Sequence, residues 1–390
     1  MKAITWRLTK PLRARIRAGH PWIYDRAIAP PPKALVAGSL ATVVDEDGPI
    51  ATVFADPTSP IRARVLELAV DRPIDGAWVR GRTEAAAARR ARDPLLVACT
   101  GIRLVHGEGD GCPGLVVDLY AETAVVVFDG PAAAAFWKPH LAEVVAGLER
   151  GGAAIAHVWL RGERGQRQAG EVWRGDPPPL VAITEDEARF DVDVRAGQKT
   201  GFFLDQRDNR RTIRQHASGA RVLNVFSYTG GFSIHAGLGG ATSVTSVDLA
   251  APAMAQLEAN VRASGLDPHS HEAVVADAFE FFTRSAKRGR RWDLVIVDPP
   301  SFAPSEKARQ AGLSAYRKLA VAGLGAVEPG GRFALASCSS HVTETDLLEL
   351  VAGIGHPVRM RLAGGAGSDH PVLPAFPEGR YLKFLFFDVG

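Results

Sequence analysis

Between residues 221 and 337 the chain alternates strand-length apolar runs with segments of helical length, and no other feature restricts its fold as much. The runs are R-V-L-N-V-F (221–226), S-V-T-S-V-D (243–248), A-V-V-A-D (273–277), D-L-V-I-V-D (293–298) and R-F-A-L-A-S (332–337). In the segment 252–263, Met254, Leu257 and Val261 recur at helical spacing. This alternation predicts an α/β fold, with a parallel sheet covered by helices on both faces. Two later runs, near 357–362 and 381–387, are separated by a Gly/Pro-rich loop without a helical segment, which predicts an antiparallel hairpin.

Three of the runs end in an aspartate: Asp248, Asp277 and Asp298. Open α/β sheets bind ligands beyond the carboxyl ends of their strands, so the three carboxylates are expected to converge on one crevice. Their other reading is as caps of the helices that follow. In D-L-V-I-V-D-P-P the apolar residues Leu294 to Val297 have buried-strand length. Pro299 and Pro300 cannot donate to a ladder and restrict the residues before them, so Asp298 is expected extended at the mouth of a pocket, with Asp293 structural at the far end. The first run leads into N-V-F-S-Y-T-G-G-F (224–232), where Phe226, Ser227, Tyr228, Thr229 and Gly230 form a turn that lets backbone approach a ligand. Asp248 follows Gly230 by eighteen residues, near the roughly 20-residue offset of an adenosine-binding unit. No G-x-G-x-x-G is present, which disfavours a dinucleotide. S-adenosylmethionine fits better, with Asp248 on the ribose and Asp277 near the adenine amine.

The fifth run ends in S-C-S (337–339). Neighbouring strand ends lie roughly 5 Å apart, so the Cys338 thiol is expected to face the same crevice as Asp298. A lone cysteine is usually core, but this one sits between two serines at a strand terminus. The pair makes chemical sense. Carbon 5 of a pyrimidine is a poor nucleophile toward a methyl sulfonium, and thiolate addition at carbon 6 converts it into an enamine-like one. Asp298 would hydrogen-bond the Watson–Crick edge, the carbon 5 proton would leave, and Cys338 would be eliminated. A free thiol titrates near ~8.5, so the pocket must favour the thiolate, and nearby arginines could help.

At 390 residues the chain has room for two or three domains, and its 46% hydrophobic and 23% charged content is ordinary for a globular protein. Neither a secretory signal nor a run of ~20 apolar residues is present, which leads us to expect a cytoplasmic location. The three cysteines, Cys99, Cys112 and Cys338, are scattered, without metal-type spacing or a disulfide framework. The net charge of +3 is small but uneven: Met1 to Lys33 holds eight basic residues against the single acid Asp25. We expect a β-rich module over 1–72, a compact α+β domain over 73–180 and the α/β domain over 181–390. Asp71 to Arg92 reads as an exposed Ala/Arg helix at the first boundary, Gly107 to Gly114 as a hairpin turn rather than a phosphate cradle, and Arg161 to Pro179 as a linker.

K-T-G-F-F-L-D-Q-R-D-N-R (199–210), N-V-F-S-Y-T-G-G-F, V-D-P-P-S-F (297–302), A-Y-R-K-L (315–319), S-C-S, and D-H-P with F-P-E-G-R-Y-L-K (369–383) together resemble the bacterial large-subunit ribosomal RNA cytosine-5 methyltransferase family. R-A-G-H-P-W-I-Y-D (17–25) resembles the opening of that family's PUA domain, and R-L-V-H-G-E-G-D-G-C-P-G-L-V-V-D its central domain. The resemblance implies a Rossmann-like class I methyltransferase sheet at the C-terminus, an N-terminal β-rich PUA domain that binds RNA, and a small central α+β domain. It implies Cys338 as nucleophile in a one-cysteine mechanism, Asp298 beside it, and S-adenosylmethionine as cofactor. Arg207, with Gln206 and Arg210, is assigned to the cofactor's carboxylate or to RNA phosphates, the alternative being a solvated helix start. Arg13, Arg15, Arg17, His20 and Trp22 are assigned to RNA. The implied partner is ribosomal RNA, with a homodimer left open and neither membrane nor metal. Ser301 stands where a lysine is expected, and Ser340-His341 where a Gly-Leu-like pair is; both bear on the target site. Two other activities compete. One is an RNA guanine or adenine N-methyltransferase using D-P-P and an aromatic, although here Ser301 precedes Phe302. The other is a non-catalytic RNA-binding assembly factor.

Overall fold

The computed structural model describes residues 4–162 and 170–390. The chain divides into two compact units, Met1–Val181 with Val192–Phe202 and Ser368–Gly379, and Ala182–Asp191 with Phe203–Gly367 and Arg380–Gly390. Among the described residues no helix is long and apolar enough to cross a membrane.

The first unit contains two five-stranded sheets. One runs in the order Ile4–Arg7, Leu40–Asp45, Gly48–Ala55, Ile61–Glu67, Trp22–Tyr24, around a core of Trp6, Ile16, Ile23, Val43 and Val53. The other runs Glu171–Arg174, His157–Leu160, Thr123–Phe128, Leu115–Tyr120, Gly101–His106. The glycine-rich turn joins the last two strands as an antiparallel pair, as expected. Segments 1–72 and 73–180, read above as separate domains, share one compact unit because Phe54 and Leu66 belong to the central core, with Phe54 stacked 5.3 Å from Phe136.

Two expectations are corrected here. The helix Gly76–Ala91 is not simply exposed, because Trp78, Val79, Thr83, Ala86 and Ala87 are buried. It packs so closely against the helix Leu141–Arg150 that a Cβ at Gly147 would lie 2.5 Å from the Arg80 carbonyl. Within the expected linker, Glu171–Arg174 is a strand paired antiparallel with His157–Leu160; residues 163–169 of that segment lie outside the described residues.

The second unit is built on a seven-stranded sheet in the order His271–Val275, Ser243–Asp248, Arg221–Val225, Trp292–Val297, Val327–Ser337, Lys383–Val389, Val358–Gly364. The first five strands are parallel and the last two antiparallel. Side chains alternate between faces at the strand period of two. Leu223, Val225, Val295, Val297, Phe333, Leu335, Leu385 and Phe387 enter one core, while Val222, Leu294, Ile296, Ala334, Ala336, Phe384 and Phe386 enter the other. Helices therefore cover both faces, and Ala251–Ala263 buries Met254, Leu257 and Val261 as its spacing predicts. The Arg221–Val225 strand lies between Ser243–Asp248 and Trp292–Val297, so the strand order reverses at its carboxyl end. That is the switch point at which such sheets bind ligands. Asp293 is structural: its carboxylate accepts from the Arg221 backbone N–H at 2.8 Å and from the Arg221 guanidinium at 3.0 Å.

Candidate functional site: a strand-end crevice

At the switch point the chain leaves Val225 through two non-glycine residues in the left-handed region, Phe226 (φ 64°) and Tyr228 (φ 48°), and then Gly230 (φ 91°). Each such non-glycine residue costs on the order of 1–3 kcal/mol, so the turn persists only because its surroundings hold it. Asp248 does much of this. One carboxylate oxygen accepts from the Tyr228 N–H and the other from the Ala250 N–H, both at 2.9 Å. Ser227 N–H bonds the Val247 carbonyl at 3.0 Å, and Asn260 donates to the Thr229 carbonyl at 3.0 Å. Glycine is required at 230, since a Cβ there would sit 2.8 Å from Leu257 Cγ. Beneath the turn, Ser233 links Asn224 (2.9 Å) to Ser246 (2.7 Å).

Asp277 takes the capping role. Its Oδ1 accepts from the Phe279 and Glu280 amides at the start of the helix Ala278–Lys287. Beside these carboxylates lie apolar side chains with unusual exposure, Leu249 at 72% and Phe279 at 38%. A carboxylate able to receive vicinal hydroxyls, a strained backbone turn and exposed apolar side chains at adjacent strand ends fit a nucleoside such as the adenosine of S-adenosylmethionine. Asp248 and the 226–230 turn would hold it, with Leu249 and Phe279 against the base.

The second half of the crevice is formed where Trp292–Val297 pairs with Val327–Ser337. Val297 is in register with Leu335, so Asp298 and Cys338 leave adjacent strand ends. Asp298 Oδ2 accepts from Gln206 Nε2 at 2.9 Å, and Gln206 is itself held by Asn209 at 2.6 Å. Cys338 is half-buried on a turn fixed from both sides. Ser337 donates to the Tyr316 hydroxyl at 2.9 Å, and Ser339 Oγ lies 3.1 Å from that hydroxyl and 2.9 Å from Ser301 Oγ. Lys383 donates to the Ser339 carbonyl at 2.6 Å and to the Tyr381 carbonyl at 2.9 Å. Burial pushes its ammonium down to about 8, although the negative charges of Cys338 and Asp346 oppose the shift.

Arg207 and Arg210, assigned above to the cofactor's carboxylate or to RNA phosphates, do not form a solvated helix start, because both are buried around Glu185. Arg210 forms a fork with that carboxylate (Nε 2.6 Å), Arg207 Nε lies 3.6 Å from it, and His235 Nε2 is at 2.9 Å. Burial alone would raise the Glu185 carboxyl, but the charge of Arg210 and the hydrogen bonds from His235 and Arg210 hold it well below the usual range.

The N-terminal assignments separate into two groups. Arg13 is fixed to Asp45 (Nε to Oδ2 2.8 Å) and to the Gly48 carbonyl, so it shapes the fold. His20 is buried between the Trp22 carbonyl (3.0 Å) and Glu378 (3.3 Å). Trp22 donates to Glu108 at 2.7 Å and packs edge-on to Phe376. In the structure these three residues support the fold through these bonds. Arg15, though bonded to Glu378 at 3.2 Å, remains half-exposed, and Arg17 is exposed.

Sequence reasoning missed Gln206 as the partner of Asp298, Tyr316 and Lys383 as supports of the thiol turn, and the exposed pair Leu249 and Phe279. Lys383 could have been suspected as the one charged position in a run that reads as a buried strand; the other signals are contacts across the fold.

Residues 140–352 match the S-adenosylmethionine-dependent methyltransferase family, and residues 7–68 match the PUA-like domain family. A ribosomal RNA large subunit methyltransferase of Deinococcus radiodurans is 39% identical, over 98% of this chain and 97% of its own length. Ribosomal RNA large subunit methyltransferase I of Alteromonas mediterranea is 32% identical over 96% of each chain. A solved structure from Streptococcus mutans, described as an S-adenosylmethionine-dependent methyltransferase, shares the fold at TM-score 0.85 and 22% identity, over 99% of this chain and 100% of that one. With the adenosine-type crevice, these likenesses identify the chain as a member of the S-adenosylmethionine-dependent large-subunit ribosomal RNA methyltransferase family, with a PUA-like domain at its N-terminus.

Proposed function

We propose that this chain methylates carbon 5 of a cytosine in large-subunit ribosomal RNA through a covalent adduct on Cys338. The observation that supports the reading is that Asp298 and Cys338 each follow directly on one of two neighbouring paired strands, beside the adenosine-type turn. S-adenosylmethionine, when bound, supplies an electrophilic methyl group. The Cys338 thiolate adds to carbon 6 of the base, and the ring electrons displaced toward carbon 5 make that carbon nucleophilic. Asp298, steadied by Gln206, hydrogen-bonds the Watson–Crick edge and stabilises the adduct. Once carbon 5 carries the methyl group and loses its proton to a base, the electron pair of that C–H bond expels the thiolate. A target base must first leave its stack.

On this reading the 1–72 segment holds RNA through Arg15 and Arg17, the 73–180 segment forms the central domain, 181–390 carries the chemistry, and the enzyme works in the cytoplasm. Support against amine methylation comes from Phe302, which packs 5.1 Å from Tyr316 as part of the thiol's scaffold. The test is RNA containing 5-fluorocytidine, which cannot lose a proton from carbon 5 and should trap a Cys338-linked adduct. Cys338→Ala should abolish both adduct and turnover, and turnover left intact would sink the reading. Loss of one methylcytosine from the ribosomal RNA of a deletion strain would identify the target.

A further inference from the structure

We propose that Lys383 is the positioning residue for Cys338: its buried ammonium fixes the turn that carries the sulfur and supplies the positive charge that keeps the sulfur ionised. The geometry is specific. Lys383 begins the strand Lys383–Val389, which pairs antiparallel with Val327–Ser337, and Ser337 is in register with Lys383 itself. The residue is buried, with 5% exposure, and its ammonium spends two of its three N–H donors on the carbonyls of Ser339 and Tyr381. Holding the Ser339 carbonyl fixes the residue directly after the cysteine. Ammonium groups are rarely buried without a charge partner. The ionised forms of Cys338 and Asp346 both favour its protonated form, and the Tyr316 hydroxyl is reached through Ser339. Asp346 already has other partners, the Arg309 guanidinium and the Thr343 amide. Of the two, Cys338 is the one directly before the carbonyl that Lys383 holds.

Ionisation releases the thiol proton to water and leaves the electron pair on sulfur, while Lys383 keeps its own proton throughout. Burial lowers Lys383 to about 8, so its charge is present below that pH and fades above it. Support for the thiolate follows the same course. The inference rests on Cys338 as the nucleophile, but its test reads the thiol itself and can fail separately.

The experiment is the rate of Cys338 alkylation by iodoacetamide between about pH 6 and pH 9.5 in the full chain. Each cysteine is followed by mass spectrometry of its own peptide, with Cys99 as internal control. In the unaltered protein the midpoint should lie about one unit below the ~8.5 of a free thiol. Lys383→Met should raise it by about one unit, slowing alkylation at neutral pH about tenfold. Lys383→Arg should keep the low midpoint, and Cys99 should be unchanged in both. A Met variant that titrates like the parent overturns the proposal, since a lysine that merely anchored carbonyls would not move the thiol. If the Met variant does not fold, a parent midpoint at or above ~8.5 overturns it equally. Low thiol midpoints together with full turnover by Cys338→Ala would sink covalent catalysis and leave the role of Lys383 standing.

Discussion

Replacing Asp248 by asparagine tests whether one carboxylate both holds the left-handed turn and receives the ligand. In the structure both oxygens are committed to backbone amides, Tyr228 N–H and Ala250 N–H, each at 2.9 Å. An asparagine keeps one acceptor and turns an NH2 toward the other amide, so one charge-assisted bond is lost and two donors face each other. A hydrogen bond to a charged group contributes about 1.5–3 kcal/mol. The turn that loses it already carries Phe226 and Tyr228 at positive φ, so it has strain to release by moving. The expected result is a 10- to 150-fold weaker Kd for S-adenosylmethionine by isothermal titration calorimetry, about 1.5–3 kcal/mol at 25 °C. The melting temperature without ligand should fall by a few degrees. Binding within threefold of the parent at an unchanged melting temperature would refute both roles.

Gly230→Ala should weaken the cofactor and lower the melting temperature together, because its Cβ would lie 2.8 Å from Leu257 Cγ at φ 91°; about 2–4 kcal/mol is expected from overpacking and the left-handed conformation, measured by urea unfolding. Glu185→Gln should cost about 3–5 kcal/mol, since it leaves Arg210, Arg207 and His235 buried around a neutral amide. The sign with pH follows: the folded carboxyl lies below its unfolded value, so its stabilisation is present above pH ~4.3 and is lost as pH falls further, which acid titration of parent and variant should reveal as a difference that closes at low pH. Arg17→Ala should weaken RNA binding and reduce the salt slope by about one, whereas Arg13→Ala should lower the melting temperature with little change in that slope.

The alternation from 221 to 337 made the parallel sheet readable, because strands buried on both faces must be apolar along their whole length. Leu294 to Val297 have no measurable exposure for that reason. That Asp298 and Cys338 follow neighbouring strands was readable too, from the order of the runs in the sheet. Partners remote in sequence were not. Gln206 lies 92 positions from Asp298, and Lys383 lies 44 from Ser339. The burial of Arg207 was not readable, because its counter-ion Glu185 sits on a strand, Leu180–Glu185, remote in sequence. The packing of His20 and Trp22 on Phe376 was not readable either, since residues suited to stacking a base are equally suited to packing on another ring.

Phe302 and Ser301 connect the site's chemistry to its scaffold. In an enzyme that methylates an exocyclic amine, the aromatic after D-P-P would have to remain open to clamp the base. Here Phe302 packs on Tyr316, and Tyr316 reaches both serines that flank Cys338. Ser301, in the position where a lysine was expected, closes the same network through Ser339. Ser301 and Phe302, two of the residues that follow the strand Trp292–Val297, are thus tied to the serines and the tyrosine that hold the thiol turn. On the proposed reading, Cys338 at the end of one strand, Asp298 at the end of its neighbour and Lys383 on the carbonyl after the cysteine form a set suited to adding to a pyrimidine ring and leaving it again.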